Sequence, residues 1–343
     1  MTPRFFLIYL PLILEVSGVT LRHGLAAGTG ADLAGRIDFA LVVQIEVGGI
    51  SGGGVSGSGV LLNPEWVLSA GHLVYSASAQ DTTVEVGGVR RQVSAVHPHP
   101  GWLEAPSVGL SQRNDLVLLR LSEAISTAPS VPIWEGGGSG PLIGLMAGFG
   151  NGGNGLLGAY LSADGLQAGM NVVDRSLLGR DGGFWVTDFD SGQSRHNSLN
   201  QSTVDLRYFD IDGGEPKLSE TVFTVPGNES QAGFSGLPTA ENFFPGSGEI
   251  FPEGTTARGD SGGPLFLYSD ERARWELAGV TSFGVNPLHP AGFNRFDSRY
   301  GDLSFFTDVS SQQDWLNSST IPEFSSQILL GCGLLVLGCG RRR

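Results

Sequence analysis

The sequence predicts an all-β protein with short strands and many tight turns. Its 343 residues include 53 glycines and 18 prolines, and only 16% of them are charged. At this density, glycine and proline divide the chain into short segments, and short apolar runs between turn residues are typical of strands. With 40% hydrophobic residues, a chain of this length can bury a complete core. Helix is expected mainly near the end of the folded unit, from Ser310 to Asn317.

Residues 1–18 are predicted to be a secretory signal peptide, which makes signal peptidase an expected partner. One arginine precedes an apolar run from Phe5 to Leu14, which is too short to span a membrane comfortably as a mature helix. Small residues favour cleavage after Gly18, with cleavage after Ala26 or Ala27 as alternatives. A buried N-terminal strand is the competing interpretation of this segment.

The composition restricts both the partners of the protein and its means of stabilisation. A formal net charge of −14 argues against a general nucleic-acid binder, which would carry a basic face. The two cysteines, Cys332 and Cys339, lie close to the C-terminus, so the remainder of the chain has no disulfide. A missing bridge withdraws about 2–4 kcal/mol of stabilisation. The fold must therefore be held by its core and by loop packing.

A six-residue motif indicates a nucleophilic serine. It reads Gly-Asp-Ser-Gly-Gly-Pro and has Ser261 at its third position. A serine is inert near neutral pH unless a base, and a group that orients the base, lie close to it. His72 follows the strand-like run Trp66-Val67-Leu68, and Asp115 precedes the strand-like run from Leu116 to Leu121. The chain order His, Asp, Ser differs from the orders in subtilisins and in α/β-hydrolases.

On these three segments and their flanks, residues 35–317 resemble the chymotrypsin/trypsin-like serine proteases. The resemblance implies an all-β fold of two packed six-stranded antiparallel β-barrels with a C-terminal helix. It also implies that His72 is the general base, Asp115 its orienting partner and Ser261 the nucleophile. The backbone amides of Gly259 and Ser261 would form the oxyanion hole, where a Cβ at position 259 would hinder the required backbone geometry.

One further segment resembles the strand that binds the substrate backbone in that family. It runs from Val280 to Gly284, and phenylalanine at Phe283 stands where the family usually has tryptophan. By resemblance, the Ser282 carbonyl and the Gly284 amide would pair with an extended peptide, as in β-strand addition.

The resemblance also assigns a specificity pocket. Thr255, six residues before the nucleophile, would form its base, and Ser304 and Gly284 would form its walls. Because burying an unpaired cation is costly, the uncharged residue at the bottom of the pocket predicts a preference for uncharged side chains over lysine and arginine. Asp302 lies near enough in sequence to reverse that expectation.

Asp260 raises the question of activation. In the family, the aspartate before the nucleophile pairs with a new N-terminal ammonium that zymogen cleavage releases. This chain has no Ile-Val-Gly-Gly-like start after a basic residue. Two alternatives follow for the partner of Asp260. One is an internal donor such as Arg258, and the other is an N-terminus at Val19 left by signal peptidase.

The second half of the chain is predicted to contain an insertion within residues 152–255. The 146 positions from Asp115 to Ser261 exceed what a compact core with short connections needs. Strands are expected in residues 183–190 and 204–211. The aspartate pairs 188/190 and 210/212 could offer oxygens to calcium, although neither fits a complete EF-hand loop. The competing interpretation is a set of acidic turn residues.

Residues 321–343 are predicted to be a sorting or membrane-anchor tail. Pro322 and Glu323 are followed by an apolar stretch from Ile328 to Gly340 and by three terminal arginines. This order resembles the PEP-CTERM sorting tails of bacteria, although Phe324 replaces the last proline. The resemblance implies an exosortase-like processing enzyme as a partner and transient membrane insertion. The arginines also suit a positive-inside stop signal, so an uncleaved anchor or a marginal hydrophobic tail is the alternative.

The sequence therefore predicts a secreted, periplasmic or cell-surface serine endopeptidase with its catalytic domain in residues 19–320. It would hydrolyse proteins or peptides through an acyl-enzyme, without a cofactor or a metal. Two other functions stay open. One is a catalytically silent adhesion module of the cell surface or matrix on the same fold, and the other is an esterase that uses the same three residues.

Overall fold

The computed structural model describes residues 18–48, 54–74, 77–103, 114–125, 129–137, 141–162, 165–177, 182–193, 196–199, 204–212, 215–225, 240–245, 251–287 and 296–320. Residues 1–17 of the predicted signal peptide and the whole predicted tail lie outside the described residues, so both stay predictions. In the described ranges, no helix is long and apolar enough to cross a membrane.

The first half of the chain forms a closed barrel. A short strand β1 (Thr20–Leu21) and helix α1 (Thr29–Ala34) precede it. Its strands are β2 (Leu41–Val47), β3 (Val55–Asn63), β4 (Trp66–Ser69), β5 (Thr82–Val86), β6 (Val89–Pro98) and β7 (Val117–Leu121), and a short helix α2 (Pro100–Leu103) follows β6. All neighbours are antiparallel, in the order β2-β3-β4-β7-β6-β5.

Strands β4 and β7 of this barrel are nearly continuous apolar runs with both faces buried, whereas β5 and β6 are partly exposed. Successive side chains on a strand point to opposite faces. Val43 and Ile45 are buried in the barrel interior. Val42 and Leu68 belong instead to the core cluster that continues into the second half of the chain, where it includes Phe266. Side chains on alternate positions of the same strand thus fill the barrel interior and form its contact with the second half of the chain.

The second half begins with β8 (Ile143–Gly148), β9 (Gly152–Asn154), β10 (Gly158–Leu161), β11 (Gln167–Val172), β12 (Arg175–Leu177) and β13 (Phe184–Asp188). It continues with β14 (Val204–Asp212), β15 (Glu215–Val225), α3 (Ala240–Phe243), β16 (Gly254–Thr255), β17 (Pro264–Ser269), β18 (Arg274–Val285) and β19 (Leu303–Asp308). A 3₁₀ turn (Ser310–Gln312) and helix α4 (Gln313–Thr320) end the described chain.

Seven of these strands form one curled antiparallel sheet, in the order β11-β8-β17-β18-β19-β13-β12. A smaller sheet, in the order β10-β9-β1-β16, joins the N-terminal strand to the segment before the nucleophile. The strands β14 and β15 pair with each other as a hairpin within the predicted insertion.

The predicted fold class is confirmed: the protein is an all-β, chymotrypsin-like double barrel with a C-terminal helix. The curled sheet has seven strands where six were expected, because β12 extends its edge by pairing with β13. Both segments expected to be strands in the second half, 183–190 and 204–211, contain β13 and β14. The boundaries of the insertion itself stay a prediction.

Candidate active site

His72, Asp115 and Ser261 meet at the junction of the two halves. His72 lies on the 3₁₀ turn that follows β4, and Asp115 lies two residues before β7. Because β4 and β7 are antiparallel neighbours, the end of one and the start of the other lie at the same edge of the barrel. Ser261 comes from the loop before β17, and its carbonyl accepts a 2.8 Å hydrogen bond from the amide of Ser58 on β3.

The three side chains form one hydrogen-bonded series. Nδ1 of His72 lies 2.6 Å from Oδ2 of Asp115, and Nε2 of His72 lies 3.0 Å from Oγ of Ser261. The Asp115 side chain is fully buried, whereas that of His72 is 42% exposed. A ring nitrogen at this distance from a hydroxyl can accept its proton while the other nitrogen donates to the carboxylate.

Two further donors reach the Asp115 carboxylate. The backbone amide of His72 donates to Oδ1 at 2.8 Å, and Oγ of Ser282 donates to Oδ2 at 2.6 Å. A buried negative charge is tolerated when such donors surround it. The sequence assigned Ser282 to the substrate strand through its carbonyl and did not predict its hydroxyl contact, because the residue type carries no signal of what it faces.

Gly71 allows a tryptophan to pack beside the same carboxylate. A Cβ at position 71 would lie 3.0 Å from the ring of Trp102 and 3.2 Å from Oδ1 of Asp115. Trp102 lies on α2 and is buried. The glycine before His72 thus leaves room for this indole and for the Asp115 carboxylate.

The environment raises the pKa of His72. Burial alone would lower this pKa, but the hydrogen bond that His72 donates to Asp115 and the negative charge of Asp115 outweigh burial and hold the pKa above the ordinary value of 6.5. The imidazole is therefore a stronger base than a free histidine.

The nucleophile loop has the backbone shape that its glycines permit. Gly259 has φ +100, and a Cβ there would lie 2.8 Å from Cα of Gly150. In the described part of the chain, the amides of Gly259 and Ser261 donate no hydrogen bond to the protein. The hydroxyl of Ser58 bridges this loop to the neighbouring one, since it donates to the Gly259 carbonyl at 3.0 Å and accepts from the Phe149 amide at 2.9 Å.

The structure gives Asp260 internal donors, but these are backbone amides and not the Arg258 side chain; an N-terminus at Val19, which only cleavage would create, stays a prediction. Its Oδ1 accepts a hydrogen bond from the Gly150 amide, and its Oδ2 accepts one from the Ala257 amide, both at 2.8 Å. No ion pair to this carboxylate occurs among the described residues, and the Arg258 side chain is exposed. Val19 is buried in a cluster with Met146 and Leu265. Burial raises the pKa of Asp260 to about 7, although the two amides act to lower it.

The predicted pocket residues are brought together by hydroxyl contacts. Thr255 Oγ1 lies 2.8 Å from Ser304 Oγ, and Thr256 Oγ1 lies 2.9 Å from the same atom. All three residues are buried. Asp302 makes its contacts elsewhere, since its Oδ2 accepts from the backbone amides of Asp297 and Arg299 at 3.1 Å. The residues predicted to form the pocket base therefore contribute hydroxyl groups and no charge.

The predicted substrate strand is the C-terminal part of β18. Gly284 pairs directly with Ser304 of β19. Phe283 points to the opposite face, where its ring stacks on Phe305 with centroids 4.5 Å apart. Phe283 thus serves the core of the second half in the position where tryptophan was noted as usual.

The first aspartate pair suggested for calcium is used by backbone amides. Asp188 Oδ2 accepts from the Leu199 amide, and Asp190 Oδ1 accepts from the Gly192 amide. The pair 210/212 lies on β14, whose side chains are outside the described part. Among the described residues, no group of three or more His, Cys, Asp or Glu side chains is arranged to hold a metal ion.

The protein has the double barrel of the chymotrypsin-like fold class, with hydrogen-bonded His, Asp and Ser side chains at the junction of its two halves. Residues 34–179 match the family model described as Trypsin. The match spans less than half of the chain; it contains His72 and Asp115 and ends before Ser261. It supports a serine protease of the chymotrypsin fold, a peptidase class whose substrates are proteins or peptides.

Proposed function

We propose that this protein is a secreted or surface-associated serine endopeptidase that works through an acyl-enzyme. The observation that carries the proposal is the hydrogen-bonded series from Asp115 through His72 to Ser261, with 2.6 Å and 3.0 Å separations. Such a series activates a hydroxyl that is otherwise a poor nucleophile.

In the proposed reaction, Nε2 of His72 takes the proton from Oγ of Ser261 as this oxygen attacks the substrate carbonyl. The Asp115 carboxylate holds the proton on Nδ1 and stabilises the imidazolium that forms. The imidazolium then protonates the leaving amine, which breaks the peptide bond. Water attacks the acyl-enzyme in the second half of the reaction, and His72 again accepts and returns the proton.

The amides of Gly259 and Ser261 are proposed as the oxyanion hole. Both belong to the loop that carries the nucleophile, and neither donates a hydrogen bond within the described part of the protein. Free donors fixed beside the attacked carbonyl stabilise the negative charge of the tetrahedral intermediate without reorganisation.

We further propose that the enzyme does not prefer lysine or arginine. The hydroxyls of Thr255, Thr256 and Ser304 contact each other and provide no negative charge. A cationic side chain would lose its hydration there without a counter-ion.

Export and the fate of the two ends are also proposals. Cleavage after Gly18 would keep β1, which pairs with β16 through Thr20 and Thr255. Cleavage after Ala26 or Ala27 would remove that strand and leave β16 without this partner. The structure therefore favours Gly18 among the three sites. For the tail, we keep the proposal of an exosortase-like signal or membrane anchor.

The proposal is tested by fluorophosphonate labelling of the full chain, with Ser261→Ala as the matched variant. Labelling of the wild-type protein that disappears in the variant is the expected result. Hydrolysis of peptides by the same sample separates an endopeptidase from an esterase, which would release only ester leaving groups. A folded protein that neither labels nor hydrolyses would be either a latent enzyme that awaits proteolysis or the silent adhesion module.

A further inference from the structure

One face of the paired strands β18 and β19 looks onto the floor of the proposed pocket. Gly284 and Ser304 are direct cross-strand partners, so their Cα–Cβ directions lie on the same face. On that face Ser304 contacts the hydroxyls of Thr255 and Thr256. The space in front of Gly284 is therefore part of the same pocket.

The ring of Phe296 already occupies that space. A Cβ built on Gly284 would lie 2.3 Å from Cδ2 and Cε2 of Phe296 and 2.6 Å from its Cζ. These separations are far below van der Waals contact, so the ring lies directly against the Cα of Gly284. No side chain larger than hydrogen is compatible with this position of the ring.

The residues that follow Phe296 are held by hydrogen bonds to the pocket floor and to Asp302. Two residues further on, Ser298 Oγ donates a 2.9 Å hydrogen bond to the Thr256 carbonyl, in the pocket floor. Ser298 has φ +62, a conformation that L residues rarely adopt and that needs support from the surroundings. The Asp302 carboxylate also holds this turn, since it accepts hydrogen bonds from the backbone amides of Asp297 and Arg299.

We propose that Phe296 is a specificity-determining residue that closes the pocket to large side chains. This inference rests on the proposed function and names its substrate class: peptides with a small uncharged residue, such as alanine, on the acyl side of the cleaved bond. A substrate side chain and the Phe296 ring cannot fill the same volume, because protein interiors are close-packed. The polar floor excludes charged residues, and the ring excludes long or aromatic ones.

The test compares two peptide substrates that differ only in having alanine or phenylalanine at that position. Wild-type protein is expected to favour the alanine substrate in kcat/KM. In Phe296→Ala the preference should move toward phenylalanine by about 10- to 200-fold, the range for a pocket that gains room for apolar groups. Phe296→Leu should give an intermediate shift. The matched control is Arg299→Ala, which shortens an exposed side chain of the same turn.

A binding measurement separates failure of this inference from failure of the proposed function. In a Ser261→Ala background, calorimetry should show that Phe296→Ala gains affinity for the phenylalanine peptide relative to the alanine peptide. If this gain in affinity occurs but the parent protein is not labelled by fluorophosphonate, the endopeptidase proposal is wrong and the pocket assignment is supported. An unchanged ratio of the two affinities and of the two kcat/KM values would overturn the role of Phe296.

Discussion

The hydroxyl of Ser282 and the carboxylate of Asp115 are joined by a 2.6 Å hydrogen bond across the junction of the two halves. The acceptor is Oδ2, which also faces Nδ1 of His72 at 2.6 Å. Strand β18 therefore reaches both the proposed substrate pocket and the buried charge behind the imidazole. A shift of this strand would disturb substrate binding and histidine orientation together.

Replacement of Ser282 by alanine is expected to reduce kcat/KM by about 10- to 100-fold, because a hydrogen bond to a charged group contributes about 1.5–3 kcal/mol. The loss should appear mainly in kcat, since Asp115 acts on the imidazole. Steady-state kinetics with a peptide ester measure the loss in kcat, and thermal unfolding measures any loss of stability separately. Ser122→Ala, at an exposed position, is the control. An unchanged kcat in the Ser282 variant would show that two donors suffice for Asp115.

The pH dependence of activity should report the raised pKa of His72. A histidine must be neutral to act as a base, so kcat/KM should fall as the pH drops through a value above 6.5. Asp115→Asn removes the charge that raises this pKa and leaves the burial that lowers it. The acid limb should then move to lower pH, and the rate should fall by about 10⁴-fold. Profiles recorded with the same ester substrate test both statements; an acid limb that stays in place would exclude His72 as the titrating base.

The sequence predicted the fold and the meeting of His72, Asp115 and Ser261 because side-chain types in a fixed chain order carry that information. It did not predict what holds these residues. Asp260 is bonded to the amide of Gly150, 110 positions away, and every residue offers such an amide. Backbone donors have no signature in the sequence, so the sequence could suggest an internal donor such as Arg258 but not these two amides.

The position of Phe296 was beyond sequence reasoning for a related reason. A phenylalanine in a polar turn is compatible with exposure, with core packing or with a pocket. Its contact with Gly284 depends on the turn that Ser298 and Asp302 hold in place. The sequence predicts Gly284 as a pocket wall, but what lies against it is set by the tertiary structure.

Gly259→Ala should disable the nucleophile loop. The position has φ +100, and the new Cβ would lie 2.8 Å from backbone of Gly150, which cannot move aside as a side chain would. We expect the loop to shift and fluorophosphonate labelling to slow by about 10²–10³-fold, the cost of one lost oxyanion donor. Gly88→Ala is the matched control, because φ is +77 there and no atom lies within 4 Å of the new Cβ. Equal labelling rates in both variants would mean that the Gly259 amide plays no part.

Asp260→Ala tests whether Ser261 needs the present shape of its loop in order to react, because the variant keeps the nucleophile and removes an anchor of the loop. Removing the carboxylate leaves the buried amides of Gly150 and Ala257 without acceptors, at about 1–3 kcal/mol each. Labelling of Ser261 should slow at least tenfold by way of loop displacement, and unfolding should occur at a lower temperature. Asp260→Asn keeps one acceptor and should recover part of the labelling rate. The exposed Asp270→Ala is the control, and a labelling rate like the control's would show that the loop needs no anchor.

The buried carboxyl of Asp302 should make the protein less stable as the pH rises. Burial, followed by the nearby charge of Asp297, raises the pKa of Asp302 from 3.8 to about 7 in the folded protein, against the opposing effect of backbone donors. The folded state therefore holds a proton that the unfolded state releases, and this contribution to stability is present below about pH 4 and lost by about pH 7. The pKa of Asp260 is also raised by burial, so this carboxyl changes stability with pH in the same direction. Asp302→Asn therefore removes one of at least two such groups. Asparagine can keep its carbonyl on the amides of the turn and fill the same volume.

Urea unfolding at several pH values between about 4 and 7 measures this effect. In Asp302→Asn the free energy of unfolding should fall with pH less steeply than in the wild type, by about 1.4 kcal/mol per pH unit. The exposed Asp314→Asn should keep the wild-type slope, and a parallel slope in Asp302→Asn would mean that Asp302 is already ionised in the folded protein.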